Sequence, residues 1–325
     1  MNVAIIGAGL IGRKRANALP KGVNLSTVCD IDQQKVKELA HDFKCESEIN
    51  WRKVVKDPKI QALIVSTINK YLLPITREAI LAGKHVLIEK PGARNLEELE
   101  KIAKAFNKRK TVVMFGYNHR YHPSIIMAKK IVDSKKYGKI LFIRAKYGHG
   151  GRLGYEKEWR FNKVLAGGGE LLDQGTHLID LVNHFCGEMT EVYGLIGYLY
   201  WRSKLEDSAF FILKNKKGQI AHLSATCVEW KNLFCFEVMM QRAKIQIDGL
   251  GGNYGREKLT LYKMKPEMGP PEVQEFLFNE KDTSWQDETK NFFDRISKKI
   301  FTDKSIKDAL YILSIVEKIY GRNSL

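Results

Sequence analysis

Residues 3–12 read Val3-Ala4-Ile5-Ile6-Gly7-Ala8-Gly9-Leu10-Ile11-Gly12. Four consecutive apolar residues fit a strand covered on both faces, as in a parallel sheet flanked by helices. The glycines that follow are spaced GxGxxG. Gly7 permits a tight turn, Gly9 lets a pyrophosphate approach the backbone, and Gly12 lets the next helix pack closely on the strand. Leu10 and Ile11 open that helix, whose N-terminus offers unpaired N–H groups and a positive dipole to phosphates. Asp30 follows 18 residues after Gly12 at the end of a second apolar run, LSTVCD (25–30). A carboxylate there can accept hydrogen bonds from both ribose hydroxyls. It also repels the extra phosphate of NADP, so NAD is the expected cofactor and NADP the lesser candidate. Arg13, Lys14 and Arg15 could meet that phosphate, or form a solvated face of the first helix.

Working outward, apolar runs at 61–67, 85–90 and 111–117 alternate with helical patterns. This is the βαβα signature of a doubly wound sheet. In NLEELEKIAKAFNKRK (95–110), Leu96, Leu99, Ile102, Ala103 and Phe106 recur at spacings of three and four, with acids early and bases late. Beyond a connecting helix at 121–134 the character changes. Longer strand-like runs at 139–148, 207–215, 219–230, 234–241 and 244–249 suggest a large, mainly antiparallel sheet, with a hairpin turn at Asn215-Lys216-Lys217-Gly218. The expected fold class is therefore α/β: a Rossmann domain over residues 1–120, then an α+β domain over 121–325. Helical patterns at 173–186, 285–299 and 303–320 are expected to cover one face of the second sheet. The other face would stay open, which points to a homodimer or homotetramer through it.

The 325 residues carry a formal net charge of +17, with 44% hydrophobic and 28% charged residues. That balance excludes a disordered or fibrous chain. No apolar run reaches the length of a membrane span, and the first basic cluster follows the initial apolar run instead of preceding it, so a cytoplasmic location is expected. Five cysteines without CxxC spacing argue against a disulfide framework or zinc site. The excess of lysine and arginine attracts anions. It is scattered along the chain without a nucleic-acid-binding motif, so a nucleic-acid partner is not expected.

Two further patterns carry chemistry. Glu89-Lys90-Pro91 ends a strand at the carboxyl edge of the first sheet, where open α/β folds place ligands. A lysine desolvated there is suited to proton transfer, although it could simply end the strand. GGGELLDQGTHLIDLVNHF (167–185) is a glycine-rich turn entering an apolar-periodic helix, and it places Asp173 and His177 four residues apart on one face. Asp173 could orient His177, share a substrate hydroxyl with it, or pack structurally. No metal site is expected.

Together with the stretch Gly116-Tyr117-Asn118-His119-Arg120-Tyr121 and a C-terminal DALYILSIVEKIY, these motifs resemble, in order, the Gfo/Idh/MocA family of NAD(P)-dependent oxidoreductases, named for glucose–fructose oxidoreductase and inositol dehydrogenase. The resemblance implies that Lys90, Asp173 and His177 match the catalytic Lys, Asp and His of the family. It implies that Thr67, Asn69, Glu89 and Lys90 lie at the cofactor, and Asn118 and Arg120 at the substrate. Where the family usually has Thr-Pro-Asn-x-x-His, this chain reads Thr67-Ile68-Asn69-Lys70-Tyr71-Leu72, so the terminal polar contact is lost. The loop 147–160, with Arg152, Trp159 and Arg160, looks like the substrate loop of members acting on nucleotide-linked sugars for surface polysaccharides. Its arginines suit a phosphate or carboxylate, though they could be merely solvated. The resemblance thus implies oxidation of a secondary alcohol on a sugar, with Lys90 or His177 taking the proton. The alternatives are a dehydrogenase of a free polyol such as an inositol, and a non-catalytic dinucleotide-binding regulator.

Overall fold

The computed structural model describes residues 1–107, 109–267, 269–278 and 281–323. The chain divides into two compact units: Met1–Tyr117 with Val164–Gly167 and Trp285–Leu310, and Asn118–Lys163 with Gly168–Ser284 and Tyr311–Leu325.

The first unit is built on a six-stranded parallel sheet of β1 (Asn2–Ile6), β2 (Asn24–Cys29), β3 (Glu46–Glu48), β4 (Ala62–Val65), β5 (His85–Glu89) and β6 (Val113–Gly116), in the order β3-β2-β1-β4-β5-β6. The order reverses between β1 and β4, which is where doubly wound sheets form their ligand crevice. Helices α1 (Leu10–Asn17), α2 (Gln33–Phe43), α3 (Trp51–Lys56), α4 (Asn69–Leu81) and α5 (Leu96–Phe106) connect the strands. Asp32, Asn50 and Asn95 cap α2, α3 and α5 by accepting hydrogen bonds from backbone N–H groups in the first turn. The five apolar runs expected as strands are all present. The three-residue edge strand β3 carried no apolar signal.

The second unit opens with α6 (Pro123–Asp133) and an eight-stranded sheet: β7 (Ile140–Gly148), β8 (Glu191–Gly197), β9 (Ser208–Lys214), β10 (Ile220–Thr226), β11 (Leu233–Met240), β12 (Ala243–Asp248), β13 (Lys258–Lys263) and β14 (Glu272–Leu277). Their order is β14-β13-β12-β11-β7-β10-β9-β8, antiparallel throughout except for β7 beside β10. The 215–218 hairpin forms as expected, with Gly218 at φ 79° and its N–H donating to the Asn215 carbonyl. After the short α7 (Lys163–Ala166), α8 (Thr176–Cys186) packs on β7 and β10, and α6 packs on β12 and β13. On the later part of α10 (Lys304–Asn323), Ile319 packs closely over Gly194, where a Cβ would lie 3.0 Å from the Ile319 Cγ2.

One helix and the start of another depart from expectation: α10 belongs to the first unit through Leu310, and Ser305 on it accepts from the Phe115 N–H. The pattern at 285–299 forms α9 (Ser284–Ser297), but Phe292 and Phe293 join the core of the first unit with Val3, Ile5, Ile64 and Met114. Its amphipathic face fixes that it must be buried, and the aromatic pair finds its apolar partners on the parallel sheet. The open face of the second sheet is also less uniform than expected. Toward β8 and β9 it is apolar, with Leu195 opposite Phe210 and Tyr193 opposite Ile212. Across β7, β11 and β12 it is charged, with Glu237 bridging Arg144 and Lys244. No described helix is long and apolar enough to cross a membrane.

Candidate active site

In the first unit the site grows from the glycine turn. Gly7 adopts φ 110°, and a Cβ there would lie 2.5 Å from the Ser66 carbonyl oxygen. A Cβ on Gly12 would sit 1.9 Å from the Gly7 carbonyl oxygen, whereas the space above Gly9 is open. Gly7 and Gly12 thus have a steric reason to lack a side chain in the turn itself, whereas nothing in the fold crowds Gly9. Asp30 braces the turn from β2. The Ala8 N–H donates to its Oδ2 at 2.6 Å, and the Asp32 N–H donates to its Oδ1 at 3.0 Å. A carboxylate with two oxygens retains acceptor capacity for further donors. Helix α1 begins at Gly9 without a side-chain cap or an acid in its first turn, and Leu10 is exposed. The N–H groups and dipole at this end suit a diphosphate. Beside the turn, the Thr67 hydroxyl is buried with no hydrogen-bond partner, an orphan suited to a bound polar group. The residues present therefore fit a dinucleotide.

Two nearby side chains are engaged differently from expectation. Asn69, at the start of α4, donates its amide to the Ala166 carbonyl at 2.8 Å. Glu89 accepts from Arg15 Nε at 2.5 Å, so its carboxylate is held from below by α1. Arg15 is wholly buried and does not belong to a solvated basic face; Arg13 remains on the surface, paired with Asp42. Leu72, the departure from the Thr-Pro-Asn-x-x-His pattern, lies in the core. Lys90 is half-buried directly after Glu89.

In the second unit, Asp173 sits in a π-helical turn, Leu171–Gly175, that runs into α8. Wide turns of this kind often mark functional positions. Asp173 lies within this wide turn and His177 in the first turn of α8. The turn is anchored by Glu206, which accepts from the N–H groups of Gly169 and Leu171 and from the Tyr320 hydroxyl at 2.6 Å. Burial pushes the Glu206 carboxyl above its ordinary range despite these donors. A Cβ on Gly169 would lie 2.1 Å from the Glu206 carbonyl oxygen, which explains one glycine of the GGG run.

Arg160 Nε lies 3.4 Å from Asp173 Oδ2, and Arg160 also stacks on Trp159. His177 is buried with its Nδ1 2.5 Å from Nδ1 of His119. His119 in turn stacks on Phe234 and meets the edge of Tyr147. The buried Tyr147 meets the half-buried Tyr254, and desolvation raises both phenols above their usual range. His149 Nε2 lies 3.8 Å from Glu170 and 3.4 Å from the Tyr155 hydroxyl.

The first unit matches the family model described as "Oxidoreductase family, NAD-binding Rossmann fold" over residues 1–117, and residues 125–246 match the GFO/IDH/MocA C-terminal domain. The chain belongs to the Gfo/Idh/MocA family. Among curated relatives of this Gfo/Idh/MocA protein, levoglucosan dehydrogenase of Pseudarthrobacter phenanthrenivorans is 31% identical over 212 residues, covering 60% of this chain and 54% of the relative. Glucose-6-phosphate 3-dehydrogenase of Bacillus subtilis is 32% identical over 184 residues, covering 55% and 52%. The chain spans about half the length of these curated relatives in the matched stretches. A solved structure titled as levoglucosan dehydrogenase in complex with NADH and levoglucosan superposes with TM-score 0.89 at 23% identity, covering 99% of this chain and 96% of that one. That likeness shows the shared fold.

Within this Gfo/Idh/MocA chain, the structure groups Gly7, Gly9, Leu10, Ile11, Gly12, Asp30 and Thr67 around one turn, and Asp173 with Arg160 in the second unit. It ties other expected substrate residues to protein partners. Arg120 makes a two-pronged pair with the fully buried Asp180 at 2.7 and 2.6 Å, Asn118 donates to the Ser284 hydroxyl, and Arg152 pairs with Glu158 at 2.5 Å. Sequence reasoning passed over His119, Tyr147, His149 and Glu170, although all four lie inside stretches it singled out. Tyr254, in a glycine-rich turn far along the chain, carried no signal.

Proposed function

We propose that this chain is an NAD-dependent dehydrogenase of a secondary alcohol on a sugar. The observation that carries the proposal is the cluster of Asp173, Arg160, His177, His119, Tyr147 and His149 at one end of the second sheet. It is rich in hydrogen-bonding groups that can grip a polyhydroxylated molecule. When bound, NAD supplies the two-electron acceptor. Asp30 and the glycine turn hold its ribose and diphosphate, and Thr67 offers its hydroxyl to the remaining polar part. Lys90 or His177 takes the proton of the hydroxyl being oxidised, and Asp173 holds the substrate or the histidine in register. On this reading residues 1–120 serve the cofactor and 121–325 the substrate and self-association.

The finer reading is an anionic, nucleotide-linked sugar of surface polysaccharide synthesis. The net charge of +17 supports it, as do the Arg152 and Arg160 loop and a relative named for glucose 6-phosphate. A free sugar or polyol is the second reading. The pairing of Arg152 with Glu158 and of Arg160 with Asp173 favours it, as do relatives named for levoglucosan and inositol. A cytoplasmic location and a dimer or tetramer through the apolar part of the open sheet face complete the proposal. Replacing Lys90 by Ala tests catalysis against the regulator alternative: turnover disappears while NADH binding persists. Unchanged turnover would remove Lys90 from the chemistry.

A further inference from the structure

Among the described residues, Arg15 is the one arginine buried completely. Each arm of its guanidinium is used. Nε donates to Glu89 on β5 at 2.5 Å, Nη2 to Glu288 on α9 at 2.7 Å, and Nη1 to the Thr289 hydroxyl at 3.3 Å. The Trp285 ring lies 4.6 Å from the guanidinium carbon. Gly116 at the end of β6 leaves room for the guanidinium: a Cβ there, opposite Glu89 in the ladder, would lie 2.7 Å from Arg15 Nη2. Arg15 stands three residues after Gly12 on the helix that opens at the phosphate turn, and Glu89 directly precedes Lys90.

A buried ion cluster is an inefficient source of stability, because apolar residues of similar volume commonly do as well or better. What the arginine fork supplies that apolar packing does not is direction, since its donors are fixed in a plane. We infer that Arg15 is a positioning residue for Lys90: it locks the strand end that carries the lysine to the helix that carries the glycine turn. The inference rests on the proposed role of Lys90. It gives Glu89 a task different from cofactor contact, since the carboxylate is the handle by which the strand end is held. It also gives α9, which returns to the first unit late in the chain, a part in the site through Glu288.

The test uses Arg15→Lys in the NAD-loaded full chain. A lysine keeps the positive charge but cannot serve three acceptors at fixed angles. The expected result is a kcat reduced by about tenfold or more, with KM and the NADH dissociation constant changed by less than about threefold, because misplacement of a reacting group weakens chemistry more than binding. A second readout is independent of turnover: the rate at which an amine reagent labels Lys90, followed by peptide mass mapping, shifts by about threefold or more as its surroundings loosen. Glu89→Gln, which keeps an oxygen for Arg15, shows a smaller loss in the same direction. It also serves as the test if Arg15→Lys does not fold. Unchanged kcat and unchanged labelling in a folded variant would overturn the inference. If Lys90→Ala turns over normally, the catalytic reading of Lys90 falls, while the labelling rate still reports whether Arg15 holds it.

Discussion

Replacing Arg15 by Met removes the positive charge between Glu89 and Glu288 while keeping much of the volume. The arginine side chain is 0% exposed, Glu288 is 1% exposed and Glu89 11%. Water can therefore do little for the two carboxylates left behind. Breaking such a buried pair from one side costs roughly 3–5 kcal/mol, because the remaining charge is uncompensated. For a unit of roughly 150 residues, where 1 kcal/mol moves the melting temperature by about 2–4 °C, the expected drop is roughly 6–20 °C. The assay is thermal unfolding followed by circular dichroism at pH 7.5. The deficit narrows at pH 5, because a stranded carboxylate that takes a proton no longer carries an unpaired charge. The triple variant Arg15→Met/Glu89→Met/Glu288→Leu regains most of the loss, since apolar groups then face one another. A single variant melting within about 2 °C of the parent would refute the reasoning, because it would mean that these charges are solvated. So would a deficit that grows on acidification.

Gly12→Ala forces the Gly7 carbonyl away from a Cβ that would otherwise sit 1.9 Å from it. An overpacking cost of roughly 1–3 kcal/mol, expressed in the turn that binds phosphates, weakens NADH binding by about 5- to 150-fold in a fluorescence titration. Wild-type affinity would contradict the geometry. The Glu206 carboxyl is raised by burial in the folded protein, so its stabilising contribution is full below the unfolded-state value and declines as the pH rises through the folded one. Glu206→Gln, which cannot ionise, therefore gains in melting temperature relative to the parent between pH 5 and pH 8; a difference independent of pH would show that the carboxyl is not desolvated. Leu195→Asp, on the 71%-exposed apolar part of the open face, converts an oligomer to monomers in sedimentation velocity, and an unaltered assembly would place the interface elsewhere.

The first sheet was legible because each of its central strands is apolar at successive positions and because the glycine spacing has few other uses. Asp30 was legible for the same reason, as an acid at a fixed distance past a glycine turn. Short or polar edge strands were not. β3 has three residues without an apolar one, and β14 is exposed along nearly its whole length. For α9, periodicity announced a buried face without saying which sheet would receive it. Arg15 shows the limit most clearly. In Arg13-Lys14-Arg15 it looks like one more solvated base, and its burial depends on Glu288, 273 positions away. The π-helical turn at Asp173 was likewise hidden, because local propensity does not encode an extra residue in a turn. Its placement follows from the hold of Glu206 on Gly169 and Leu171.

The most direct test of the central claim is NADH formation from NAD with nucleotide-linked hexoses and hexuronates, sugar phosphates, free hexoses and inositols, with Lys90→Ala as control. The account predicts turnover of at least one of these sugars, lost in the variant while NADH still binds. Turnover confined to the anionic sugars would place Arg152 and Arg160 at the substrate, and turnover of free polyols would place them at the surface. NADH binding without turnover of any sugar by the unaltered protein would contradict the claim that the chain is a sugar dehydrogenase.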